Sequence, residues 1–258
     1  MRRKIPKTDY SKIAKFYDRV RSDAAPTLVS RIVKYGKINQ NTAILDIGCG
    51  TGRFTMSMST AGNLLCALEP SIEMLRQAVE KDKSRSVQWI RGDGQHLPFR
   101  DSLFDCIYMT AVIHHIERKR MALREFHRVL KTRGICVMMT FSHGAVKKHI
   151  LNDFPGVTKI DLKRIPSVSW LKEIMTMTGF KNVHHHVVQL DEGYVSADEY
   201  LERVRNKYIS TLTLLTEEEF RSGLRIFEDR ARKKYGSRIR KISRFVFVVG
   251  KKQLHTDN

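Results

Sequence analysis

Three observations predict an α/β fold built on an open, mostly parallel sheet with helices on both faces. Short apolar runs at Ile44–Ile47, Leu64–Leu68, Val87–Ile90 and Cys106–Ala111 alternate with helical stretches across residues 43–142. Each run ends in a cluster of polar or small residues, the pattern of the ligand edge of a parallel sheet. The first of these clusters is Gly48-Cys49-Gly50-Thr51-Gly52, where glycines at every second position permit positive φ and close approach of the backbone to a ligand.

The elements follow in order. Ile13, Phe16, Tyr17 and Val20 recur at helical spacing, and Pro26 starts a second helix that carries Leu28, Val29, Ile32 and Val33 and closes near Gly36. After the strand ending at Glu69, Ser71 is placed to cap a helix bearing Met74, Leu75, Ala78 and Val79. Ala122, Phe126, Val129 and Leu130 give the next crossover helix its apolar stripe, and Gly134 turns the chain into the strand Ile135–Phe141. From Ser142 to Ser167 the pattern loosens around Pro155-Gly156 and Pro166. A helix over 169–178 stopped by Gly179 leads to a strand over 183–190. Helices are then predicted over 197–209 and 217–234. Thr216 with Glu219 makes a capping box for the second, whose apolar face is Phe220, Leu224, Phe227 and Ala231. The run 244–250 closes the sheet.

The chemistry of the glycine loop is set by Asp46, two residues before Gly48. A loop built for pyrophosphate keeps anions away, so this carboxylate favours a nucleoside that carries positive charge. The ammonium and sulfonium of S-adenosylmethionine fit. Glu69, about twenty residues on at the end of the second run, is placed to accept hydrogen bonds from two ribose hydroxyls. Asp93-Gly94 puts a further acidic group at the end of the third run, and Leu97-Pro98-Phe99 through Phe104-Asp105 leads into the fourth.

These motifs together resemble the class I S-adenosylmethionine-dependent methyltransferases, in the group with the pattern LDIGCGTG, then E, D, LPF and FD. The likeness is close over about residues 40–142 and less specific near Gly179-Phe180. It implies a Rossmann-like, seven-stranded, mostly parallel sheet whose last strand is antiparallel, with N-terminal helices and a helical insertion before that strand. The division expected within a single methyltransferase domain is an N-terminal helical cap at 1–42, a cofactor-binding core at 43–190, a helical substrate cover at 191–240 and the final strand at 241–252. The resemblance assigns Asp46, Gly48, Gly50 and Gly52 to the methionine portion of the cofactor, Glu69 to the ribose, and Asp93 and Gly94 to the adenine, with Cys49 and Pro70 as further cofactor-binding residues. Thr110 and Ala111 leave room beside it. Tyr17, on a segment that folds over the cofactor in similar enzymes, is a further contact, or plain core packing. His114 and His115 border the expected transfer site. His115 is the candidate general base, with loop orientation as the alternative role. Tyr10, Arg21 and His114 are candidate acceptor contacts, Arg21 as an anion clamp.

Composition narrows the partners. The 258 residues carry 47 Lys/Arg against 27 Asp/Glu, a net charge of +20, densest in residues 1–43 with 11 against 3. Such a surface attracts anions, or is simply solvated. Cys49, Cys66, Cys106 and Cys136 lie in or beside predicted strands without metal or disulfide spacing, which suits a reducing, cytoplasmic setting. No run is long enough to span a membrane. His184 and His186 share a strand face, yet no carboxylate or cysteine at suitable spacing completes a metal site, so no metal is expected.

A methyltransferase with a small-molecule acceptor, anionic ones among the candidates, is therefore the leading expectation. The stretch Thr110-Ala111-Val112-Ile113 lacks the Pro-Pro-aromatic turn of base amine methylation, and no Pro-Cys nucleophile is present. An RNA or protein methyltransferase using the basic surface, and a non-catalytic S-adenosylmethionine-binding module, are the alternatives. Oligomeric state and acceptor atom are not readable.

Overall fold

In the computed structural model the described residues are 8–10, 14, 17–18, 23–59 and 64–253. Of the first expected helix, Ile13, Phe16 and Val20 lie outside them, as does Arg21. The chain divides into two compact units, one of Tyr10–Thr140, Val168–His186 and Val246–Asn258, the other of Met1–Asp9, Phe141–Ser167 and Val187–Phe245.

The first unit is built on the sheet. Its strands are β1 (Ile44–Ile47), β2 (Leu65–Glu69), β3 (Gln88–Arg91), β4 (Phe104–Thr110) and β5 (Leu130–Thr140), with parts of β6 (Phe180–Ser196) and β7 (Arg238–Lys252). The seven-stranded order is β3-β2-β1-β4-β5-β7-β6. The first five strands pair in parallel, and β7 runs antiparallel to β5, as the resemblance implied. The chain steps outward from β1 to β3 and then returns to β4 on the other side of β1. The crevice between β1 and β4 is thus the topological switch point, where ligands of open α/β sheets bind.

Local sequence explains the helices. α1 (Pro26–Gly36) begins on proline, buries Leu28 and Ile32, and ends as Lys37 turns left-handed at φ 53. Gly36 is required because a Cβ there would stand 2.6 Å from the Cys106 sulfur of β4. After α2 (Arg53–Met58), α3 (Ile72–Lys81) opens with the Ser71 side chain accepting from the Met74 amide, the cap expected from sequence. α4 (Lys119–Val129) buries Ala122, Leu123, Phe126 and Val129. Leu130, counted with that stripe from sequence, instead begins β5. The Lys252 ammonium of β7, almost fully buried, closes α4 by donating to the carbonyls of Leu130 at 2.7 Å and Arg128 at 3.3 Å. The core gathers Leu45, Ile47, Phe104, Ile107, Phe126 and Met138 with Leu171 and Met175 of α7 (Val168–Met177).

The second unit corrects the sequence reading in two places. The loosened stretch 142–167 contains α5 (His143–Lys147), a 3-10 turn at Ile150–Asp153 and α6 (Val157–Arg164). It shares a core with the later helices α8 (Ala197–Arg205) and α9 (Glu217–Tyr235), so the unit is larger than the expected 191–240. Phe154 explains why: its ring packs on Phe220 and Phe227, and a Cβ at Gly223 would overlap it. The helix expected over 197–209 stops at Arg205, because Lys207 adopts φ 49. The capping box of Thr216 and Glu219 is present as expected.

Candidate cofactor site at the strand ends

At the carboxyl end of β1 the chain makes a loop that only glycine accommodates. Gly48, Gly50 and Gly52 have φ of 70, 59 and 78. A side chain at Gly48 would collide with Val112, and one at Gly52 with Trp89. At Gly50 nothing lies within 4 Å of a notional Cβ, so the middle of the loop faces open space. The amides of Gly48 and Cys49 donate to the Leu68 carbonyl at 2.7 and 3.1 Å, which anchors the loop to β2.

Two carboxylates frame this loop. Glu69, at the end of β2, accepts from the Gly50 amide at 3.0 Å and from the Ser71 amide at 3.0 Å. Burial raises its pKa, and those two amides oppose the rise. Asp46 lies deeper, almost without exposure, and accepts from the Thr55 hydroxyl at 2.6 Å. Among the described residues its second oxygen, Oδ1, has no partner in hydrogen-bonding geometry, nor has the fully buried hydroxyl of Tyr108, which sits opposite Asp46 in the β1–β4 register. Burial lifts the Asp46 pKa from 3.8 to about 7; the Thr55 hydrogen bond and the nearby Tyr108 hydroxyl oppose the rise, and the charge of Glu69 adds to it. A buried carboxyl oxygen without a partner costs free energy that a cationic guest would recover. This orphaned acceptor beneath an open glycine loop fits the charge of S-adenosylmethionine.

The remaining expected residues are placed as follows. Thr110 and Ala111 sit at the end of β4, across the switch point from β1, and Ala111 takes φ 57 with its amide donating to Met139. That left-handed alanine bends the chain out of the sheet into the turn bearing His114 and His115. Cys49 is buried, and burial keeps its thiol protonated. Pro70 is exposed, its carbonyl accepting from Arg91. Gly94 is buried against Ile47, whereas the exposed Asp93 carboxylate accepts from the Gln95 amide and side chain and shares no hydrogen bond with the glycine loop.

The histidine turn brings together residues far apart in sequence. The Tyr10 hydroxyl lies 2.7 Å from His115 Nε2, the hydroxyl donating when that nitrogen is unprotonated. The Tyr10 ring meets that of Tyr17 edge-on at 6.2 Å, and His114 and His115 lie 4.1 Å apart. Asp18 ties this N-terminal segment to the loop: one oxygen accepts from the Thr51 hydroxyl at 2.6 Å, the other from Lys81 at 2.7 Å. Sequence reasoning missed Asp18, Thr55 and Tyr108. Thr55 had a signal, a hydroxyl on the first turn after the loop and able to reach back. Asp18 and Tyr108 had none.

Residues 45–138 match the family model described as a methyltransferase domain. Fold, motif and match make residues 45–138 a segment similar to the methyltransferase domain of class I S-adenosylmethionine-dependent enzymes, whose cofactor is S-adenosylmethionine. Among curated proteins it is similar to malonyl-[acyl-carrier protein] O-methyltransferase of Hamiltonella defensa, at 34% identity over 41% of this chain and 40% of the relative. It is also similar to the ubiquinone/menaquinone biosynthesis C-methyltransferase UbiE of Citrobacter koseri, at 27% identity over 61% of this chain and 75% of the relative. The chain thus spans less than half the length of the first. A methyltransferase structure from an antibiotic biosynthesis pathway of Anabaena variabilis shares the fold, with a TM-score of 0.67 at 21% identity over 86% of this chain and 96% of that one.

Proposed function

We propose that the protein transfers a methyl group from S-adenosylmethionine to a small-molecule acceptor whose attacking atom carries a removable proton. The observation that carries this reading is the pair of buried carboxylates at the switch point, one with an orphaned oxygen, joined to a loop of left-handed glycines. Bound there, the cofactor supplies a sulfonium methyl group already activated for in-line displacement. Glu69 holds the ribose, Asp46 offsets positive charge beneath the loop, and the left-handed turn at Ala111 sets the histidines beside the reacting centre. Holding both reactants in contact removes translational entropy, an effect that can reach about 7–11 kcal/mol.

His115 takes the acceptor proton at Nε2, and the Tyr10 hydroxyl orients that nitrogen until the acceptor replaces it. The O- and C-methyl transfers named for the two curated relatives favour an oxygen or acidic carbon as the acceptor atom. An anionic acceptor fits the net charge of +20. The expected cover at 191–240 lies within the helical unit, which packs a core of its own. Four buried free cysteines suit the reducing cytoplasm. No helix among the described residues is long and apolar enough to cross a membrane.

The test is transfer of labelled methyl from S-adenosylmethionine to a panel of phenolic, enolic and carboxylic acceptors. His115→Ala should lower kcat on the accepted compound by about 100-fold while cofactor affinity stays within twofold. Tight cofactor binding without transfer to any small molecule would leave a binding module instead.

A further inference from the structure

The three consecutive histidines and much of the positive charge find no use in the methyl-transfer site. His186, on β6 at the edge of the sheet, stacks flat on Tyr35 of α1, with ring centroids 4.3 Å apart and planes 5° from parallel. Tyr35 in turn meets Phe247 of β7 edge-on at 5.4 Å. The His184 ring stands perpendicular to His186 at 5.1 Å, and its Nδ1 donates to the Asn182 carbonyl, which leaves Nε2 to solvent. The groups acting on His186 are all cationic or can become so: His184 and His185 on its own strand, Arg31 and Lys34 on α1. Burial, with their charge, holds the His186 imidazole below its ordinary pKa. Phe247, from the remaining packed element, brings no charge. Among the described residues neither Arg31 nor Lys34 forms an ion pair.

The helical unit treats its cations differently. There Arg203, Arg205, Lys207, Arg232, Lys234 and Lys241 each meet a carboxylate. Arg31, Lys34 and the histidines are left to repel one another on an exposed surface. Such an arrangement repels a metal ion and attracts an anion. A carboxylate-rich protein face would meet the charges but leave the flat rings unused. A nucleic-acid strand offers both phosphates and π-faces.

We propose that the surface formed by Arg31 and Lys34 of α1 and His184 and His186 of β6 binds single-stranded nucleic acid. Arg31 and Lys34 contact phosphates, and the exposed imidazole of His184 stacks on a base. The surface is separate from the glycine loop, so the proposal stands whether or not the methyl acceptor is a small molecule.

The experiment measures fluorescence anisotropy of a labelled, mixed-sequence RNA oligonucleotide titrated with the full chain over a range of salt concentrations. Three proteins are compared: the parent, Arg31→Gln/Lys34→Gln, and a control, Arg120→Gln/Arg124→Gln, which removes two exposed cations of α4. The expected result is about a tenfold loss of affinity in the first variant, with the salt slope reduced by about 1.4, or ~0.7 per lost phosphate contact. The control should lose less than about twofold. His184→Ala should lose several-fold in affinity with the salt slope unchanged, because it removes a stacking face and no phosphate contact. Unchanged melting temperature and S-adenosylmethionine affinity establish that the variants are folded. Three results overturn the proposal: equal losses in patch and control variants, binding of polyglutamate as tight as that of RNA, or no saturable RNA binding at low salt. The first of these means a diffuse field, the second an acidic protein partner.

Discussion

The sheet unit and the helical unit handle buried polar groups in opposite ways. In the helical unit Arg164 donates to Asp161 at 2.8 Å and to the hydroxyls of Ser210 and Thr211, while Thr211 also donates to Asp161. The network closes on itself, and the surface carries ion pairs along α8 and α9. In the sheet unit Asp46 and Glu69 are buried near one another, and among the described residues no cation pairs with either. A closed network makes a unique packed unit and asks for nothing more. An open pair of carboxylates is a standing electrostatic cost that a ligand removes. Binding energy is therefore expected to be concentrated in the sheet unit.

Three substitutions and conditions can break this contrast. The largest expected effect is on stability in the helical unit: Asp161→Ala leaves the Arg164 guanidinium, about 11% exposed, without its carboxylate. It should cost about 3 kcal/mol, read by denaturant unfolding, with cofactor affinity unchanged. If that variant instead lost cofactor affinity, the division of labour would be wrong.

Next come Glu69→Ala and Asp46→Ala, each expected to weaken S-adenosylmethionine binding by at least about 1.5 kcal/mol in calorimetric titration. Parent-like affinity in both would remove the carboxylate frame from the site.

The smallest effect is a pH dependence. Because the Asp46 pKa rises from 3.8 to about 7 on folding, the folded chain holds a proton there that the unfolded chain has released. Its contribution is fully present at low pH and is lost as pH rises through about 7. Asp46→Asn should therefore gain stability relative to the parent between about pH 5 and pH 7, measured by thermal unfolding without ligand. The same titration predicts that cofactor affinity of the parent rises over this range and that the asparagine variant loses the trend. A constant stability difference across those pH values would place the ionised carboxylate in a far better solvated site than the structure shows.

Much of this was legible locally. The strand–loop–helix at 44–58, the cap at Ser71 and the box at Thr216 and Glu219 rest on short-range rules, and each formed where expected. The stretch 142–167 was not legible, because α5 and α6 are too short for periodicity to show and the stretch is held, through Leu151, Phe154 and Val157, by a core shared with residues of α8 and α9. The strand over 183–190 extends to 180–196, since pairing rather than propensity decides where a strand ends. At the site, Asp46 and Glu69 stand at the strand ends where the sequence put them, but their burial, and hence the raised pKa values, depends on what lies over them.

The amino-acid sequence by itself determined the αβ alternation, the glycine loop and the acidic residues at the strand ends. These are set by backbone sterics and by spacing along a single segment. Only the tertiary structure decided that Tyr108 would face Asp46, that Tyr10 would meet His115 across 105 residues, and that His186 would stack on Tyr35. Such contacts follow from sheet order and helix packing, in which a side chain's partner is fixed by the whole fold rather than by its neighbours in the chain.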